Sequence, residues 1–267
     1  MKKSAPVTSR SDKVERIPTQ LERFLNEPRN MHAREALLMN RFFFDIKLAA
    51  ARRDYYLNSY FDDVDHDGFD VIFDDQDYIK KIQVKSVGIS NTTQSWDIHK
   101  KLLRPSRYLL DKLGFESSPE GEGTEGGVVL IEYKDNDGAF GVTYHYTDVF
   151  ILLAFECEIV RRKDGRSQKA VENCINELRR GFGTEKVAVP IAAFVQSKDL
   201  DSLLSLMGLH CNAQSSWKHH VVQVANHSRQ YADRSLSLPM PLDKMRSLTA
   251  SEIMELTDAS DVCAYPR

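Results

Sequence analysis

Only four cysteines occur in the 267 residues, Cys157, Cys174, Cys211 and Cys263, and no two form a C-x-x-C pair. That scarcity leaves the common zinc and redox motifs without support and points to reduced thiols, some buried as small apolar groups. No apolar run approaches the roughly 20 residues needed to cross a bilayer. The polar N-terminus has no apolar core of a secretory leader, so the expected location is the cytoplasm, with no membrane partner. Excess positive charge is also missing. The net charge of −3 argues against a protein that coats nucleic acid along its whole surface. Residues 117–127 are rich in Ser, Gly and Glu but lack the G-K-[ST] ending of a phosphate-binding loop. The eight histidines show no metal-ligand spacing, and neither a nucleophile elbow nor an internal repeat is found.

What the chain does contain is the composition of an ordinary folded protein, 42% hydrophobic and 28% charged, with length for one sizeable core. Its charge is uneven. Residues 62–77 hold many acids and no Lys or Arg, whereas 80–112 are mainly basic, an arrangement that suits a metal site beside a phosphate track and also suits solvated faces. Residues 1–30, with Pro6, Pro18 and Pro28, read as a flexible arm with one helical turn near Leu21 to Leu25. Residues 31–210 read as the core, and 211–267 as a C-terminal extension, partly irregular.

Within that core, apolar residues return at helical spacing over 33–56. A strand is expected near 55–61. The stretch GFDVIFDDQDYIKKIQVKSV then predicts a hairpin, with strands at 68–73 and 78–87 around an acidic turn. Residues 96–115 read as helical with a break at Pro105. Strands at 127–133 and 140–146 are joined by a turn at Asp137-Gly138. Helices are expected at 147–158, 168–180 and 200–209, with a short apolar run at 187–194. The order predicts an α/β fold with a central mixed sheet flanked by helices and a helical elaboration at the C-terminus.

The hairpin carries the chemistry. Gln83 and Lys85 are one residue apart on a strand, so both leave the same face, and the short turn brings Asp70 beside them. Polar groups set among apolar neighbours need partners. A divalent cation is one such partner: Asp70 offers a carboxylate, Gln83 an amide oxygen and Val84 its carbonyl, the oxygen donors that Mg²⁺ takes, with Mn²⁺ as its substitute. Lys85 is placed to activate a water or to steady charge on a reacting phosphate.

These two segments, Gly68-Phe69-Asp70-Val71-Ile72 and Ile82-Gln83-Val84-Lys85-Ser86, resemble the core motif of the PD-(D/E)XK, or restriction-endonuclease-like, nuclease superfamily. Gln83 stands where an acid is usual, as in the Q-x-K variant of that group. The resemblance implies an αβββαβ core and metal-dependent cleavage of double-stranded DNA, with a role in antiviral defence or DNA processing. It also implies a further metal-site carboxylate on the preceding helix, a position that Glu35 matches. Dimerisation and an operon-encoded partner belong to the same expectation. Asp65 and Asp67 are alternative carboxylates. Lys81, Ser86, Lys100, Lys101 and Arg104 are the expected nucleic-acid contacts, with Lys80, Arg107 and Gln94 as weaker candidates, and Trp96 and Trp217 as stacking residues. The competing reading is a catalytically weak nucleic-acid-binding or assembly protein that keeps the fold.

Overall fold

The computed structural model describes residues 17–61, 68–119, 121–136, 139–209, 217–228, 236–258 and 262–265. The alternative carboxylates Asp65 and Asp67, most of the N-terminal arm, the Asp137-Gly138 turn and Cys211 lie outside them.

A short helix α1 (Gln20–Asn26) starts at Thr19, whose hydroxyl accepts the Glu22 amide hydrogen. The long helix α2 (Met31–Arg52) follows, burying Leu38, Phe42, Ile46 and Ala49 at spacings of three and four. Next come β1 (Asn58–Phe61), β2 (Val71–Asp74) and β3 (Ile79–Gly88). The β2–β3 turn is built by its own acids. Asp75 accepts the amides of Asp77 and Tyr78, and Asp74 accepts that of Gln76. A crossover holds β4 (Ser95–His99), α3 (Lys100–Leu103) and α4 (Arg107–Leu113) before β5 (Gly127–Asn136). After β6 (Ala139–Asp148) come α5 (Val149–Glu156), β7 (Val160–Arg162), α6 (Gly165–Arg179), β8 (Lys186–Pro190) and β9 (Val195–Gln196). The chain closes with α7 (Leu200–Met207), α8 (Trp217–Ser228), α9 (Leu242–Leu256) and β10 (Val262–Ala264).

The main sheet runs β1-β2-β3-β5-β6-β9. It is mixed: β3 and β5 are parallel, whereas β1–β2, β2–β3, β5–β6 and β6–β9 pair antiparallel. The expected α/β class with a helix-flanked mixed sheet therefore holds. Helix α2 is fixed to one face through Phe42, whose ring meets Phe73 at 5.8 Å and Tyr144 at 5.6 Å. A buried polar tie reinforces it: Asp45 on α2 accepts hydrogen bonds from Tyr144 Oη at 2.8 Å and Arg41 Nε at 2.7 Å. Burial first, then the bond to Asp45, raises the Tyr144 hydroxyl above its ordinary range.

One expectation needs correction. Residues 95–99 are not helical: Ile98 is fully buried, and the segment pairs antiparallel with β8 some ninety residues later, so a distant partner decides its conformation. Only α3 and α4 remain helical there. The C-terminal region, read as a partly irregular helical elaboration, is mainly helical in its described part. Its helices α8 and α9 bury Trp217, Val221, Val224, Met245 and Ile253 in the same core as the sheet. Among the described residues no helix is long and apolar enough to cross a membrane.

Candidate active site at the fork of the hairpin

Strands β2 and β3 separate just before Asp70. The last register pair toward it is Val71 with Ile82, and the Asp70 amide donates to the Ile82 carbonyl at 2.9 Å. Beyond that point β3 runs on to Gly88, paired among the described strands with β5. Alternate residues of a strand turn both backbone groups to the same edge. The N–H and C=O of Val84 therefore open toward the side that β2 has left. The Asp70 carboxylate fills half of the gap, accepting the Val84 amide hydrogen through Oδ2 at 2.6 Å. The Val84 carbonyl faces the same opening.

Gly68 explains how the chain enters this fork. Its φ is +72°, in the left-handed region, and an added Cβ would lie 2.4 Å from the His99 Cβ. Only glycine lets the backbone lie so close to β4. Phe69 is buried beneath Lys81, whose ammonium stands 4.4 Å from the ring centre. Asp70 then emerges directly after a glycine turn and a ring anchored in the core.

A cleft of about 480 Å³ opens at the fork, lined by Glu35, Leu38, Met39, Asp70, Val84, Lys85, Ser86, Trp96 and Ile131. Six sequence-predicted residues, Glu35, Asp70, Val84, Lys85, Ser86 and Trp96, meet here. Glu35 lies two helical turns before Phe42, so the aromatic contacts that seat α2 also bring its carboxylate over the sheet. Its other neighbour is His32, at 3.7 Å. Among the described residues, Lys85 makes no ion pair.

Gln83 stands apart from this wall. It is buried, and it lines a second cleft of about 330 Å³ with Gly68, Lys85, Asp97, His99, Glu185 and Lys186. Among the described residues its Oε1 accepts no hydrogen bond. Lys85 lines both clefts and so lies between the Asp70 side and the Gln83 side.

Two of the expected nucleic-acid contacts are corrected by burial. Lys100 is 2% exposed and bonds to the Gly181 carbonyl at 3.3 Å and to Glu177 at 3.2 Å. Arg104 is fully buried, donating to the carbonyls of Leu178 and Glu116 and facing the rings of Phe115 and Phe182. Both tie the crossover helix to α6, because a basic side chain beside buried carbonyls is held by them. Lys101 remains half-buried, and its amide donates to His99 Nδ1 at 3.2 Å. Of the weaker candidates, Lys80 is buried, Trp217 is fully buried with its indole N–H on the Ser205 carbonyl, and Arg107 is exposed beside Glu122. Gln94 is exposed, its backbone carbonyl accepting the Ile191 amide. Trp96 forms part of the first cleft's wall, edge-on to Phe194 at 5.5 Å.

Sequence reading missed the buried network beneath the hairpin. Asp148 caps α5 through the amides of Phe150 and Ile151 and accepts from Tyr146 at 2.8 Å, Lys218 at 2.8 Å and Lys80 at 3.4 Å. Burial and the nearby Lys218 cation push Lys80 down to about 7. For Asp148 burial acts upward, but the two ammonium groups outweigh it and hold the carboxyl below its ordinary range. The acid before an apolar run was a visible cap signal, whereas its lysine partners were not. This network joins β3 to α8 and opens into neither cleft.

A larger cleft, about 800 Å³, lies away from the hairpin, between α9 and the chain around Glu158 and Tyr265. It contains none of the motif residues, so the smaller cleft at the fork is the chemically informative one. Among the described residues, no three His, Cys, Asp or Glu side chains gather as a metal-binding group. Comparison with protein-family models, with curated proteins and with solved structures found no match to this chain.

Proposed function

We propose that this chain is a metal-dependent nuclease that hydrolyses phosphodiester bonds of double-stranded DNA, on a core of the restriction-endonuclease type. The observation that carries the reading is the fork: Asp70 held on the Val84 amide, in one cleft with Glu35, Lys85 and the Val84 carbonyl. The order α2, β1, β2, β3, helical crossover, parallel β5 supports it, since that is the αβββαβ order the motif implies.

The donors suit a hard divalent cation. Asp70, Glu35 and the Val84 carbonyl are all oxygens, and Mg²⁺ is held in such sites by one or two carboxylates with several waters kept; Gln83, expected in this set from the sequence, lines the neighbouring cleft instead. When bound, the ion supplies Lewis-acid polarisation of the phosphodiester and a more acidic water. The chain's own groups do the positioning. The Lys85 ammonium offers hydrogen bonds to a non-bridging phosphate oxygen, where negative charge gathers as the attacking water adds to phosphorus. Asp70 is held in place by the Val84 amide, so its second oxygen is oriented before substrate arrives. Glu35, on the opposite wall, is an acceptor for a proton of the attacking water. Cutting both strands of a duplex needs two such sites, and a homodimer is part of the proposal.

A second reading is a nucleic-acid-binding or assembly protein that retains the fold. It is favoured by Gln83, which stands where an acid is usual in the motif and so removes one negative charge. Supercoiled plasmid incubated with the protein and Mg²⁺, Mn²⁺ or EDTA separates the two readings. Nicking or linearisation that EDTA abolishes supports the nuclease. Plasmid retained on the protein but never cut supports the binding protein.

A further inference from the structure

The second cleft is a built site in its own right. Gln83 is 7% exposed, and its Oε1, a strong acceptor, has no donor among the described residues. A buried acceptor of this kind carries a desolvation cost until a donor arrives. His99 supplies the complement. Its Nδ1 accepts the Lys101 amide hydrogen, which in the neutral ring leaves the proton on Nε2 and makes that atom a donor. The remaining walls alternate in sign: the cations Lys85 and Lys186, the anions Asp97 and Glu185, and the Gly68 backbone. A ligand that satisfies this lining must offer both anionic acceptors and hydrogen-bond donors. At about 330 Å³ the volume falls at the small end of ligand pockets, roughly 300–1,000 Å³.

Lys85 decides what kind of ligand this is. Because Lys85 lines both clefts, an occupant of one abuts an occupant of the other. A polymer with a phosphate at every repeat meets that condition, and each of its units carries donors on base or sugar. We propose that the second cleft is a subsite for the nucleotide next to the phosphate held at Asp70, with His99 and Lys186 contacting its phosphate and Gln83 and Asp97 accepting from its base or sugar. This rests on the nuclease reading for the polymer, and on the cleft's own lining for the subsite. His99 is then a positioning residue for the cut, whereas Asp70 and Lys85 act at the cut itself.

The test uses His99→Asn and Lys186→Ala in the full chain. An Asn side-chain oxygen still accepts the Lys101 amide and keeps the cap of α3 and the Cβ beside Gly68, but it removes the ring donor. Lys186 is exposed, so its truncation leaves the fold intact. The probe is a fluorescent 12-nucleotide DNA strand, alone and as a duplex. Anisotropy in EDTA reads binding, and gel analysis with Mg²⁺ or Mn²⁺ reads cleavage. Each variant is expected to weaken binding by about tenfold and to raise KM by a similar factor, with kcat little changed. Binding and KM equal to wild type in both variants overturn the subsite. A wild type that binds but does not cut removes the nuclease reading alone, and the binding losses still decide the subsite. A wild type that binds neither probe overturns both.

Discussion

The Asp70 carboxylate accepts the Val84 amide hydrogen at 2.6 Å, bridging the gap left where β2 parts from β3. One interaction thus joins the acid of the motif's first half to the middle residue of its second half. The carboxylate is structural toward the strand and, under the proposed function, chemical toward the cleft, and these two roles respond differently to substitution.

Asp70→Asn keeps an acceptor for Val84 while removing the charge, so it is expected to fold with near wild-type stability and to lose cleavage. Asp70→Ala leaves the Val84 amide without its partner, at a cost of about 1–3 kcal/mol. Urea titrations of the two variants check this. Equal stability of Asn and Ala variants would remove the strand role.

Lys85 makes no ion pair among the described residues, so its removal has little to break. Lys85→Ala is expected to leave the urea midpoint close to wild type while lowering kcat by at least about a hundredfold. A Lys85→Ala protein that cuts normally excludes the amine from the reaction.

Gly68→Ala joins two costs, a positive φ and an overlap with the His99 Cβ at 2.4 Å. About 1–3 kcal/mol of destabilisation is expected from the backbone strain alone. Because the turn leads directly into Asp70, cleavage should fall further than stability. Shrinking the neighbour in a Gly68→Ala/His99→Gly double variant relieves the overlap but not the φ, so thermal melts of the two separate the contributions.

The pH dependence of stability follows from Lys80. Burial and Lys218 lower it from 10.5 to about 7 in the folded chain. Between those values the unfolded chain binds the proton that the folded chain has released, so stability rises as pH increases through this window. Below about 7 both states are protonated and the penalty is constant. Denaturant midpoints are expected to climb from pH 7 to 9.5, and Lys80→Met should flatten the climb. The range stops short of the region where the raised Tyr144 hydroxyl acts in the opposite sense, retaining its proton in the fold after the unfolded chain has lost it. A wild-type slope that survives in Lys80→Met would assign the effect elsewhere.

Arg104→Ala should act on the fold and not on nucleic acid. It leaves the buried carbonyls of Leu178 and Glu116 unpaired, with an expected loss of about 2–5 kcal/mol and unchanged oligonucleotide affinity in whatever fraction remains folded. A folded Arg104→Ala protein with weakened binding would restore this residue to the interface.

The parts of this molecule written in short-range pattern were legible in its sequence. The apolar periodicity from Ala36 to Ala49 gave α2, though not that Leu38 and Phe42 are buried while Leu37 and Phe44 are exposed, and the alternation around Asp70 and Gln83 gave the hairpin and the shared face of Gln83 and Lys85. What was not legible depended on distant partners. β4 is a strand because β8 pairs with it, and Lys100 and Arg104 are buried because α6 returns over them. The same holds for the second cleft, whose His99 and Lys186 lie 87 positions apart in the chain and come together through the register pair they form. Basic residues 80–112 therefore read as one surface, although the fold divides them between cleft, core and helix tie.

The most direct measurement places wild type, Asp70→Asn and Lys85→Ala side by side on supercoiled plasmid with Mg²⁺ or Mn²⁺ and with EDTA, each first matched to wild type by circular dichroism. The account predicts nicked or linear plasmid from the wild type only when metal is present, and intact supercoiled plasmid from both variants. Cutting that persists in either folded variant, or in EDTA, would contradict the assignment of phosphodiester hydrolysis to the fork between β2 and β3.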